Sequence, residues 1–222
     1  MKRATLILAA LAMLLGGVGQ TQADVVLYTS ESAFDAATTG LTTVDFNGIA
    51  SSDSFVSYGT GPLSLSGVSF TGNGSMFVID PGFYGYSYSN GGFLTSDYSS
   101  PDIITATLPG GGFTAVGTDF GSLFSGGATF TITLSTGDTF TVSTSGSIEF
   151  GTLGFVGFTS STPITSITFS MPDTPNYNAL DNFQFGTAVA VPEPTSVVVF
   201  GMATLAGAVY CGWRRRKQPA QA

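Results

Sequence analysis

Polar and apolar residues alternate along most of this chain with a period of two. In Ala128–Leu134, Phe130, Ile132 and Leu134 alternate with Thr129, Thr131 and Thr133. Successive side chains of a strand point to opposite faces, so one face here is apolar and the other hydroxylated. Residues 135–138 contain Gly137 and read as a turn. Residues 139–143 then alternate again, with Phe140 and Val142 on one face. Together they predict a β-hairpin with its threonines outward. Similar short runs fall at 42–46, 63–70, Met76–Ile79, 103–108, 114–120, 154–159, 164–169 and 179–185, separated by Gly, Pro, Asn and Asp. About ten short strands at this spacing predict an all-β fold, an antiparallel β-sandwich or jelly roll. A short helix is expected only at 30–39, with Ser30 as its cap, Phe34 facing inward and Gly40 ending it. No repeat of fixed period is visible, which argues against a solenoid or propeller.

Two apolar stretches depart from this pattern. At the start, Lys2 and Arg3 precede an apolar run over 4–18, followed by Thr21-Gln22-Ala23. That order is a secretory signal over 1–23, with the mature chain beginning at Asp24. Near the other end, 197–213 is a run of 17 residues without a charge, and Arg214, Arg215, Arg216 and Lys217 follow it. At ~1.5 Å per residue the run is near the lower limit for a transmembrane helix. The basic cluster would stay cytoplasmic, leaving 218–222 as a short cytoplasmic end. Pro192 and Pro194 separate this tail from what precedes it. Between the two stretches lies one ectodomain, 24–190, long enough for a sizeable core.

The tail has a specific three-part order: Val191-Pro192-Glu193-Pro194, an apolar helix, then arginines. It resembles the PEP-CTERM sorting tail of exported bacterial proteins. The resemblance covers 191–217 and implies recognition through Pro192, Glu193, Pro194, Arg214, Arg215 and Arg216. The partner it implies is exosortase, a membrane enzyme that cuts near the Pro-Glu-Pro segment. Before processing, the helix would hold the protein in the inner membrane; afterwards the ectodomain would reach the cell surface or the exopolysaccharide matrix. An ordinary single-pass anchor with a positive flank accounts for the same residues on physical grounds. The body resembles the Gly/Thr-rich sandwich domains common in proteins with this tail, through VDFNG at 44–48, SGVSF at 66–70, AVGTDFG at 115–121, PITSITF at 163–169 and ALDNFQFG at 179–186.

Charge narrows the chemistry. The six basic residues are Lys2, Arg3, Arg214, Arg215, Arg216 and Lys217, and the chain has no histidine. From Asp24 to Ala190 there are thirteen acids and no cation, a net charge of −13 that the −8 of the whole chain conceals. Nucleic-acid binding needs cations against phosphate, so it is not expected. A Ser-His-Asp triad, a P-loop and a His-bearing zinc site are excluded by the missing residues. Cys211 is the only cysteine and lies in the tail, so the ectodomain has no disulfide. Carboxylate chemistry, oxygen-ligand metal binding and aromatic stacking remain.

Three candidate sites follow. Asp45-Phe46-Asn47-Gly48 and Leu180-Asp181-Asn182-Phe183 lie near the two ends of the strand series. They resemble paired motifs of jelly-roll carbohydrate-binding modules, in which a Phe-Glu near the start and an Asp near the end hold a structural Ca²⁺. Phe46 and Asp181 match, and Asn47 stands where Glu is usual. The resemblance implies a calcium site at Asp45, Asn47 and Asp181; strand-end capping is the structural alternative. The second candidate is the segment FYGYSYSNGGFLTSDY at 83–98. Tyr84, Tyr86, Tyr88 and Tyr98 suit stacking on a sugar ring, with Asn90, Asp97 and Asp102 as hydrogen-bonding partners. Packing of these rings within the sandwich is the alternative. The third is an acid pair for glycoside hydrolysis. Glu31 and Glu149 are the only glutamates of the body, and nothing in the sequence brings them together. The expectation is therefore a non-enzymatic, exported structural or adhesive protein of the exopolysaccharide matrix. A lectin-like carbohydrate-binding module is the alternative, and a carboxylate-dependent glycoside-active enzyme the second.

Overall fold

The computed structural model describes residues 24–86, 88–97, 101–124, 127–172 and 177–189. The expected signal segment 1–23, the tail with its Pro-Glu-Pro and arginine residues, and Tyr98 lie outside them. The chain divides into two units, Met1–Ala188 and Val189–Ala222, and the described fold belongs to the first. Among the described residues no helix is long and apolar enough to cross a membrane.

Fourteen described strands form two antiparallel sheets. They are β1 (Val25–Tyr28), β2 (Thr38–Val44), β3 (Phe55–Gly59), β4 (Leu63–Leu65), β5 (Val68–Gly72), β6 (Met76–Ile79) and β7 (Phe93–Ser96), then β8 (Asp102–Thr107), β9 (Ala115–Ser122), β10 (Ala128–Leu134), β11 (Thr139–Thr144), β12 (Gly154–Ser160), β13 (Ser166–Met171) and β14 (Asn178–Ala188). Sheet A runs β1-β12-β9-β14-β7-β6-β3, with β2 also paired to β14. Sheet B runs β11-β10-β13-β8-β5-β4. The expected hairpin is β10–β11, closed by the turn at 135–138, where Gly137 has φ 94° and Asp138 accepts from the Thr136 hydroxyl at 2.7 Å. Around it the pairs nest: β9 with β12 in sheet A, β8 with β13 in sheet B, β7 with β14 in sheet A. The second half of the chain is thus one long hairpin rolled across two sheets.

The expected strand at 63–70 is instead two strands. Ser66 and Gly67, with φ 49° and 83°, make a two-residue turn and fold β4 onto β5. Both central residues of such a turn need positive φ, and its twist matches that of the flanking strands. The helix is shorter than expected, α1 at Glu31–Ala36. Ser30 precedes it without a capping side-chain bond, and its hydroxyl pairs with Ser32. Gly40 does not end the helix: it lies inside β2, whose pairing to β14 has already begun at Thr38.

Between the sheets the apolar residues of the alternation meet as phenylalanine pairs. Phe70 of sheet B lies edge-on to Phe183 of sheet A at 5.4 Å, and Phe120 of sheet A to Phe130 of sheet B at 5.1 Å. Phe140 and Phe158 bridge the sheets at 5.0 Å. Edge-to-face contacts of this kind add to the area effect of burying large rings. The outward face of sheet B is hydroxylated, with Thr129–Ser143, Thr105–Thr168 and Thr133–Thr139 paired across strands.

Sheet A is covered on its outward face as well. Gly117 of β9 and Gly157 of β12 are cross-strand partners, and together they make a socket for Phe34 of α1. A Cβ on Gly157 would fall 2.5 Å from the Phe34 ring, and one on Gly117 would fall 3.1 Å from it. Phe34 is fully buried there, between Tyr28 and Phe155. Gly157→Ala should lower stability by about 1–3 kcal/mol through overpacking, and Phe34→Ala by about 3–5 kcal/mol. The double variant should lose less than the sum, because each change relieves the other; urea denaturation of the four proteins measures this.

Candidate functional site

Two polar features lie on the outward face of sheet A. The first is at the branch in β14. One edge of β14 pairs with β7 through Ala179 and Leu180, and then with β2 from Phe183 onward. Between these partners lie Asp181 and Asn182, where the register against β9 shifts and Asn182 takes φ 46°. Asn is among the few residues that tolerate this left-handed conformation. Asp181 is fully buried. Its Oδ2 accepts from the Tyr88 hydroxyl at 2.6 Å, and its Oδ1 from the Asn182 N–H at 2.7 Å. Asp119 lies directly opposite on β9 and accepts from Asn182 Nδ2 at 2.8 Å. Burial pushes the Asp181 carboxyl up to about 6, against the bonds from Tyr88 and Asn182; the charges of Asp119 and Asp45 add to the rise. Burial also raises Asp119 and Asp102.

The two acidic motifs do meet, as the jelly-roll resemblance implies: β2 pairs with β14, Val44 opposite Phe183, and Asp45 follows at once. Their oxygens, however, are turned to protein donors. Asn47 Oδ1 accepts from the Gly92 N–H at 2.8 Å, and Asp45 Oδ1 from the Asn47 N–H at 3.1 Å. Both oxygens of Asp181 are engaged as described. Calcium takes about six to eight oxygen ligands, and among the described residues no group of three carboxylates is placed to hold a metal ion. As arranged, Asp45, Asn47 and Asp181 do not fit a calcium ion; they fasten β2, the segment before β7, and β14 to one another.

The second feature is an aromatic pocket of about 250 Å³ near the free edge of sheet A. Its wall begins with Phe55 on β3 and Phe77 on β6, whose rings are 5.7 Å apart. A 3-10 turn at Pro81–Tyr84 adds Phe83 and Tyr84. That turn is set by Asp80, whose side chain accepts from the Gly82 N–H at 3.0 Å and the Asp53 N–H at 3.1 Å. Phe83 stands 5.1 Å from Phe55 and 4.8 Å from Tyr84. Ile79, Leu123 and Tyr177 complete the apolar lining, and Thr95, Ser96 and Asp97 supply the polar part. Phe55, Phe83 and Tyr84 remain 41–44% exposed. Thr95 is 1% exposed, and its hydroxyl has no partner. The Ser96 hydroxyl donates to Asp102 across the sandwich.

The tyrosines expected to form one sugar platform divide between these features. Tyr84 lines the pocket, and Tyr86 stacks on it at 5.2 Å with ring planes 23° apart. Burial raises both phenols, with smaller contributions from Tyr177 at Tyr84 and from Glu149 at Tyr86. Tyr88 is a correction: it is 5% exposed, packs on Phe93 and donates to Asp181. It is a core residue, and Asn90 bonds to its hydroxyl. Asp97, expected as a sugar partner, lines the pocket, whereas Asp102 is buried and accepts from Ser96 and Asn178; Phe55, Phe77 and Thr95 were not singled out in the sequence. The only signal there was a second aromatic cluster one strand before the tyrosines. Glu31 binds Gln184 at 2.8 Å on α1, and Glu149 acts on Tyr86 instead. The carboxylates that do pair, Asp119 and Asp181, include one closed to solvent.

No protein-family model matches this sequence, and no curated protein does. Among solved structures, the Agl-KA catalytic domain superposes with a TM-score of 0.38 at 16% identity, over 69% of this chain and 31% of that one. A family 11 carbohydrate-binding module from Clostridium thermocellum, in complex with a β-1,3-1,4-mixed-linked tetrasaccharide, gives 0.35 at 14% identity, over 68% and 98%. An exo-β-1,3-galactanase from Phanerochaete chrysosporium gives 0.35 at 15% identity, over 61% and 29%. This chain spans about a third of the length of the two enzymes. Likenesses of this size assign no ligand or activity to it.

The branch at β14 has a pH signature. An unfolded aspartate releases its proton near 3.8, whereas folded Asp181 holds it to about 6. Between those values the folded state binds more protons, so stability rises as pH falls. From about pH 7 to about pH 5 the gain should be about 1 kcal/mol, roughly 2–4 °C in thermal midpoint. Asp181→Asn, which retains the acceptor for the Asn182 N–H, should flatten that dependence; calorimetry across the range checks it.

Proposed function

We propose that this chain is an exported surface or matrix protein whose β-sandwich binds carbohydrate at the aromatic pocket. The single observation that carries the binding reading is the pocket itself. Partly exposed rings of Phe55, Phe83 and Tyr84 line it, with the exposed Asp97 beside them. Sugar rings present apolar C–H faces and polar rims. Sites for them combine aromatic surface with a few fixed polar groups. The pocket is small enough for one sugar unit and open enough for a chain to pass across it. A body with thirteen acids and no cation disfavours uronic or sulfated polymers.

Export and sorting rest on the sequence of the two ends. The secretory signal directs the body outward, and the Pro192-Glu193-Pro194 tail with its basic cluster directs processing by exosortase at the membrane. In this reading the jelly-roll body is a structural or adhesive component of the exopolysaccharide matrix, and adhesion is the work of the pocket. No group in it is assigned to catalysis.

On a glycan array the full-length chain should retain a subset of non-acidic polysaccharides, and Phe55→Ala or Tyr84→Ala should reduce retention at least about fivefold, with little change in thermal midpoint. Equal retention by both variants would remove the pocket from the account. Intact mass of the protein from its native host should show the chain ending near Pro194; retention of 195–222 would leave an anchor in place of a sorting tail.

A further inference from the structure

We infer that the sugar recognised at this pocket carries an amine, as a glucosamine unit of a polysaccharide does, and that the pocket selects it as a cation. The inference rests on the carbohydrate reading above and narrows it.

Four observations converge. First, the wall is a continuous run of rings, Phe77–Phe55–Phe83–Tyr84, with successive centroids 4.8–5.7 Å apart. Ring faces are electron-rich and attract an ammonium held within about 6 Å. Second, Asp97 is the only formally charged residue in the lining. An aromatic wall beside one carboxylate is matched by a compact cation with a C–H skirt, which is the chemistry of an amino sugar at neutral pH. Third, apart from the Tyr84 and Tyr177 phenols the lining is poor in donors. It contains no Asn, Gln, Arg, Lys or Trp side chain, and the Ser96 hydroxyl is already given to Asp102. A neutral sugar brings acceptors as well as donors, and the amide and guanidinium groups that answer several of them at once are absent from this lining. An ammonium brings donors alone, and the exposed Asp97 carboxylate, with the Tyr84 phenol oxygen, is an acceptor for it. Fourth, the surrounding field has one sign. Thirteen acids without a cation raise the local concentration of cations and repel anions.

The volume agrees. About 250 Å³ holds one sugar ring, not an oligosaccharide, so the site reads a single residue of a longer chain. An N-acetyl group would remove the charge and add bulk and an acceptor, all three against this lining.

The test is calorimetric titration of the full-length chain with a glucosamine trimer, its fully N-acetylated form and a glucose trimer. Trilysine serves as a control for attraction to the acidic surface at large. The expected result is binding of the glucosamine trimer at least about tenfold tighter than that of either other sugar. Asp97→Asn should abolish most of that preference although it removes only one of thirteen acids, and Phe55→Ala should weaken the glucosamine trimer while leaving trilysine unchanged. Thermal unfolding of each variant confirms that it is folded. Equal binding of acetylated and free trimers, indifferent to Asp97→Asn but sensitive to Phe55→Ala, would overturn the cation inference and leave the sugar reading intact. Glucosamine binding that survives both substitutions would reduce it to surface attraction and overturn the inference. Absence of binding by all three sugars would overturn both readings.

Discussion

A body without a single cation between Asp24 and Ala190 must hold its buried carboxylates by hydrogen bonds alone. An ionised group removed from water needs partners, and the usual Lys or Arg is missing. Two aspartates show how the fold supplies them. Asp102 on β8 accepts from the Ser96 hydroxyl on β7 and, at 2.8 Å, from the Asn178 N–H on β14, so one carboxyl ties sheet B to sheet A. Asp181 accepts from Tyr88 and Asn182 and ties the branch of β14 to the segment that enters β7. The raised proton affinity of both is the residue of desolvation that those bonds do not cancel. These links sit where the architecture changes partner, one between the sheets and one between β7 and β2.

The outward face of sheet A is covered in two places. Between Val44 and Phe93 the chain adds β3 and β6 to sheet A and β4 and β5 to sheet B. Before β7 the 3-10 turn follows, and Tyr86 and Tyr88 pack with the second apolar cluster. On the other half, the Gly117–Gly157 socket accepts Phe34. Sheet A therefore has two buried faces and sheet B one. The second apolar cluster, with Ile79, Phe93, Leu123, Ile148 and Ala179, lies beneath the covering loops. Where that covering stops, at β3 and β6, the rings of Phe55 and Phe83 are left half open, and the pocket is the space between them.

The pocket is thus a by-product of covering a sheet incompletely, and its chemistry follows from what the sequence has available. Aromatic residues are plentiful and cationic ones absent, so its walls are rings and its charge is negative. The outward face of sheet B took the other course, a lattice of paired hydroxyls directed to water. That face offers hydrogen bonds without concavity. The two outer surfaces of one sandwich are chemically unlike for this reason.

Much of sheet B was legible in the chain, and less of sheet A. In β10, β11 and β13 one face is solvent-exposed, so apolar and hydroxyl residues alternate and the period of two declares the strand. In β9, AVGTDFGS, both faces are buried, and small residues stand where α1 and the loops approach. Alternation no longer marks which side is inside. Val25–Tyr28, Phe55–Gly59 and Phe93–Ser96 are short strands whose pairing comes from distant segments, and the sequence does not announce them. The sites divide in the same way. The sequence by itself determined the charge partition, the want of His and Lys chemistry, and an aromatic segment before Asp97, because these depend only on which residues are present. Tertiary structure alone decided that Tyr88 turns inward to Asp181, that Asn47 serves Gly92, and that Phe55, Thr95 and Asp97 face one space. Those facts depend on which strand lies beside which, and long-range pairing, not local pattern, sets that.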